Sequence, residues 1–120
     1  MTKKFLCALF FFLVLSLVYA EDSTVESIIL KLSHSDDKSL QFQALTYIEE
    51  ALKNGNKSDT LLVSLENLGT KPTPQVRWTV ARYLGRLENP RVKETLQRLL
   101  VKEQNAQVRK ELQQSLAKGD

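Results

Sequence analysis

The chain has 120 residues, 17 basic against 14 acidic, 42% of them hydrophobic, with a pI near 9.1. That length holds one domain, and a charged fraction of 26% excludes both a highly charged disordered tail and a collagen-like chain. One Cys and one His exclude a disulfide scaffold and a zinc site of three or four nitrogen and sulfur ligands.

The first twenty residues differ from the rest. Met1-Thr2-Lys3-Lys4 is cationic, Phe5 to Val18 is apolar apart from Ser16, and Val18-Tyr19-Ala20 precedes the charged Glu21-Asp22. This order predicts a cleaved secretory signal peptide over 1–20, because the apolar run is shorter than the ~20 residues that span a bilayer. An uncleaved N-terminal anchor is the alternative. Removing Lys3 and Lys4 lowers the basic count from 17 to 15 against 14 acids, which leaves +1. The only Met and the only Cys, Cys7, leave with the leader. The expected product is exported, periplasmic or secreted, with no stable membrane insertion after cleavage and no thiol.

From Glu21 to Asp120 the apolar residues recur at three- and four-residue spacings, broken by short polar stretches, which predicts amphipathic helices throughout. The spacing also repeats. Asp37, Thr73 and Asn105 are N-cap types, and three residues after each comes Leu40, Val76 or Val108. Eight residues further on stand Ile48, Leu84 and Leu116. Pro74 follows Thr73 at the first helical position, and Ser23 to Glu26 has capping-box spacing. First helices are expected over 23–33, 59–69 and 90–102, and second helices over 38–53, 74–87 and 106–117. The units cover about 23–54, 58–88 and 89–118 of a single domain, 21–120, with the extra residues of the first placed in a loop from Lys53 to Lys57.

The string Val76-Arg77-Trp78-Thr79-Val80-Ala81-Arg82-Tyr83-Leu84-Gly85 resembles the HEAT-like repeat of phycobilin-lyase-type proteins, whose pattern is a V-R pair, two small residues and L-G. Val108-Arg109 with Leu116-Ala117 is a weaker copy, and Leu40-Gln41 with Ala44-Leu45 lacks the Arg. The resemblance implies an all-α fold, a short right-handed α-solenoid of about three helical hairpins, in a small exported bacterial protein. It also implies that the Arg of the V-R pair, here Arg77 and Arg109, ties turns together. Stacked copies share one core, since a hairpin cannot bury its apolar faces alone. Small Ala81 and Gly85 are expected where neighbouring units touch, and Gln113, Gln114 and Ser115 suit a terminal unit that meets water.

Little in the sequence points to catalysis. His34 lies in a predicted turn with no evident acid–base partner, and Glu49-Glu50 diverge around a helix. Some HEAT-repeat enzymes are iron hydroxylases with paired His-Glu motifs, but no such pair occurs here. The chain is also too short for the chromophore clamp of the lyases. No metal and no cofactor is expected, and a charge of +1 argues against nucleic acid. Tyr47 and Tyr83 are expected in the core. Phe42 and Trp78, equivalent to each other, with Arg82, Lys110 and Gln114 beside them, fall on the concave side of the second helices. They read either as inter-repeat core or as an aromatic and cationic groove, Trp and Arg being the commonest binding hot spots. The function that follows is a non-catalytic adaptor or scaffold for a protein or peptide. The alternative is a lyase-like accessory or chaperone domain holding a small ligand. Self-association through an exposed terminal unit is a further possibility.

Overall fold

The computed structural model describes residues 25–118, so the leader assigned to 1–20 lies outside the described residues. Six helices follow one another there, and no strand occurs among the described residues. Helix α1 covers 25–33. After it come α2 (Lys38–Lys53), α3 (Asp59–Leu68), α4 (Pro74–Arg86), α5 (Val92–Lys102) and α6 (Ala106–Lys118). The alternation of first and second helices therefore matches the repeat read from the sequence. The expected start of the first helix at 23, with its Ser23 capping box, lies outside the described residues; of the other boundaries only that of α5 differs by more than a residue, at Val92 rather than Pro90. Asn89 Oδ1 accepts the Arg91 N–H at 2.9 Å, so Pro90 sits in a turn ahead of the helix.

Local chemistry sets most of these boundaries. Asp37 Oδ1 accepts from the Ser39 and Leu40 amides, and Asn105 Oδ1 from those of Gln107 and Val108, which satisfies donors that a helix start leaves orphaned. Ser58 caps α3 in the same way through the Leu61 N–H. Thr73 stands at the corresponding place but makes no side-chain cap bond, contrary to its expected role. Pro74 has no N–H, and the Val76 N–H donates to the Thr73 carbonyl at 3.1 Å instead of to the hydroxyl. Helix α2 ends on Gly55 at φ 79, with Gly55 N–H on Leu52 O and Asn56 N–H on Ala51 O. That pair of bonds needs a left-handed residue, which is why glycine is there.

The core runs through the whole stack. Ile29, Leu61, Leu65, Leu68, Leu84 and Leu96 are at most 1% exposed, and each such side chain contributes about 2 kcal/mol by burial. Helix α4 packs most closely on α6 and also touches α2, so the second helices form one layer, with α3 and α5 in the other. The α4–α6 contact is tight at one point. Ser115 Oγ donates to the Ala81 carbonyl at 2.7 Å, and a Cβ on Gly85 would stand 2.7 Å from that Oγ and 3.1 Å from Ser115 Cβ. Ser115 is thus buried against α4 rather than facing water. Gly85→Ala is expected to lower stability by about 1–3 kcal/mol through overpacking, and Ser115→Gly should recover part of that loss in a double-mutant thermal melt.

Hydrogen bonds also tie successive units together. Asn67 to Ser33 and Tyr83 to Glu49 are 34 residues apart, Arg98 to Glu66 is 32, and Asn56 to Glu26 is 30. A second tie operates within each hairpin. Arg77 Nη1 donates to Lys71 O, and Arg109 Nη1 to Glu103 O, both six residues back. Gln41 occupies the Arg position of the first unit and does the same, its Nε2 donating to Ser35 O at 2.9 Å.

Two apolar positions of the first unit depart from the repeat. Leu40, aligned with the fully buried Val76 and Val108, is 37% exposed, and Tyr47, expected in the core, is 38% exposed. Their equivalents Val76 and Tyr83 lie on α4, which packs on the preceding unit through α2, whereas among the described residues no unit precedes the first.

Candidate functional site

On α4, Val76, Val80, Ala81 and Leu84 are buried, which turns Trp78 and Arg82 to the opposite side of the helix. Lys110 and Gln114 take the same places on α6 and are exposed, and Phe42 takes the place of Trp78 on α2. The five candidate side chains therefore share one surface of the second-helix layer, though not one contact cluster. Phe42 and Trp78 are each half-buried and rest on the core with part of the ring open.

Trp78 is the more elaborated of the two. The Arg82 guanidinium stacks over its ring at 5.0 Å, and Arg82 Nε lies 4.0 Å from Glu111 Oε1 on α6. A cation so placed over a partly exposed indole contributes about 0.5–1 kcal/mol. Beside Trp78 opens a cleft of about 520 Å³ between the first turns of α4 and α6, lined by Thr73, Pro74, Gln75, Asn105, Gln107 and Val108. Phe42 has only Lys38 over its ring, at 6.0 Å. The cleft itself was not legible in the sequence, because it arises where two helix starts diverge.

The pair Arg77–Glu103 belongs to the turns, away from this surface. Arg77 Nε and Nη2 reach the two Glu103 carboxylate oxygens at 2.8 and 3.0 Å, with side chains only 18% and 6% exposed. Burial pushes the Glu103 carboxyl up, but hydrogen bonds from Arg77 and from the Asn105 N–H outweigh it and hold the group below the usual carboxylate range. Tyr83 is shifted the other way, up, by burial and by its hydrogen bond to Glu49. Both are explained as structural ties between units. His34 is exposed and lies 3.4 Å from Asn67 Nδ2. Among the described residues no group of three or more His, Cys, Asp or Glu could hold a metal ion, and no helix is long and apolar enough to cross a membrane.

An open stack of helical hairpins, with an aromatic and cationic surface along one layer, defines a helical-repeat solenoid. The family model for HEAT repeats matches residues 15–117, and the chain belongs to that family. HEAT repeats generally mediate protein–protein association and are generally non-catalytic. No curated relative and no solved structure matches the chain.

Proposed function

We propose that the protein is a non-catalytic scaffold that holds a protein or peptide partner in the groove between α4 and α6, and that it works outside the cytoplasm of a bacterium, in the periplasm or beyond. The observation that carries the groove is Trp78: the chain's only Trp is left half-open beside a cleft, with an Arg stacked on it. Buried aromatic and Arg anchors account for most of the energy at protein interfaces. The cleft favours a peptide over an enclosed small ligand, since it is open and its rim consists of two polar helix starts. The location rests on the sequence of residues 1–20, a charged start followed by an apolar run and a small residue.

The test is crosslinking capture by the exported protein, with Trp78→Ala as the comparison. Capture is expected to fall at least tenfold in the variant, while its melting temperature drops by only a few degrees because the ring is half-buried. A large fall in melting temperature with capture intact would remove the groove from the proposal. The intact mass of the exported protein should correspond to a chain starting at Glu21.

A further inference from the structure

Charge is not spread evenly over the helical surfaces. Arg82 and Arg86 on α4, with Lys110 and Lys118 on α6, are exposed and follow the three- and four-residue spacings of one helix face. The carboxylate set among them is Glu111, whose side chain is 17% exposed and tucked toward Arg82 at a long 4.0 Å. Glu49 of α2, held by the Tyr83 hydroxyl whose ring lies under Arg86, is the other carboxylate close by, so cations outnumber anions on this face of a chain whose total balance without Lys3 and Lys4 is +1. The Arg82 guanidinium lies 5.0 Å over the Trp78 ring and its side chain is 55% exposed, which leaves N–H groups open to a carboxylate, the group that a guanidinium can receive through two parallel bonds. At the adjoining cleft the first turn of α4 has no side-chain cap, so its positive helix end adds to the same field.

Resting on the reading of this groove as a partner site, we infer that its partner is an acidic peptide segment carrying one apolar or aromatic side chain. The apolar side chain enters the cleft against Trp78, and flanking Asp or Glu carboxylates meet Arg82 and Lys110. Charge complementarity of this kind sets partner choice and association rate, while the buried anchor supplies the affinity. A nucleic acid duplex would call for a broader basic surface than one face of two short helices.

Trp78 is its own reporter, being the chain's only Trp. The purified exported protein is titrated with a synthetic Asp- and Glu-rich peptide holding a central Leu, with the same peptide carrying Gln or Lys in place of the acids, and with an oligothymidylate. Saturable change in Trp78 fluorescence is expected with the acidic peptide, at least tenfold weaker after Arg82→Glu or Lys110→Glu. Lys110 is exposed, so Lys110→Glu should melt as the parent does, whereas Arg82→Glu should lose the few degrees contributed by the contact with Trp78 and the pairing with Glu111. Tenfold weakening is also expected between low and high salt, as for exposed charges. Equal binding of the Lys peptide, an unchanged affinity in both charge-reversal variants, or tighter binding of the oligothymidylate overturns the inference. Binding of the Gln peptide with undiminished affinity, abolished by Trp78→Ala when followed by calorimetric titration, overturns the acidic class while leaving the groove in place. No response to any peptide, together with capture indifferent to Trp78, removes both.

Discussion

Arg77→Ala is expected to destabilise the protein by about 3 kcal/mol, which lowers the melting temperature by roughly 15 °C for a domain of this size. The substitution removes more than one bond. Arg77 holds both oxygens of Glu103 in the next unit and the carbonyls of Lys71 and Pro72 in its own turn. Without it the Glu103 carboxylate, 6% exposed, keeps the Asn105 amide and loses its counter-charge. Breaking a buried pair from one side costs more than the pair contributes, because the remaining charge stays desolvated. Arg77→Lys should fall between the two, since one ammonium cannot reach two carbonyls and both carboxylate oxygens. The effect should also depend on pH. Glu103 has a lowered folded-state pKa, so its contribution is full above the ordinary glutamate value of about 4.3 and is lost as pH falls through the folded value. Urea melts at pH 7 and pH 3 should therefore show the gap between parent and Arg77→Ala narrowing in acid. An equal gap at both pH values would mean that the carbonyl bonds alone matter.

Leu84→Ala is expected to cost about 3 kcal/mol, and Leu40→Ala less than about 0.5 kcal/mol. Leu84 is fully buried in the last turn of α4, so truncation leaves a cavity that the neighbouring helices must either tolerate or close. Leu40 is 37% exposed on the outer side of the first hairpin. Denaturant melts of the two variants would test the contrast; comparable losses would mean that the outer face of the first unit is covered.

Leu40 also marks how far the sequence could be read. Helix positions and register were legible because they depend on local features, a cap such as Asp37 or Asn105 followed by apolar residues at helical spacing. Burial at a repeat position depends in addition on the unit that packs over it, and no local pattern records that. Leu40 and Tyr47 therefore looked like Val76 and Tyr83, yet lie exposed. Gln41 was passed over because the pattern called for Arg, although its amide reaches the same turn carbonyl. Ser115 read as terminal polarity, but the close approach permitted by Gly85 makes it a buried donor to α4. At the candidate site, the placement of Phe42, Trp78, Arg82, Lys110 and Gln114 on one surface followed from 100° per residue. The stacking of Arg82 on Trp78 and the cleft beside it are tertiary facts, and no spacing predicts them.

The closely packed helix pairs lie within one hairpin or between neighbouring hairpins, and the hydrogen bonds that tie units together span 26–34 residues. Order in such a chain spreads as along a line of coupled switches, each sensitive to the next alone. Among the described residues the middle switch has two neighbours and the outer ones a single neighbour each, so damage to α3–α4 disconnects the line while damage at either end only shortens it. For the same reason the groove beside Trp78 depends on the middle and last hairpins, and a further copy added ahead of the first would lengthen the molecule without disturbing that groove.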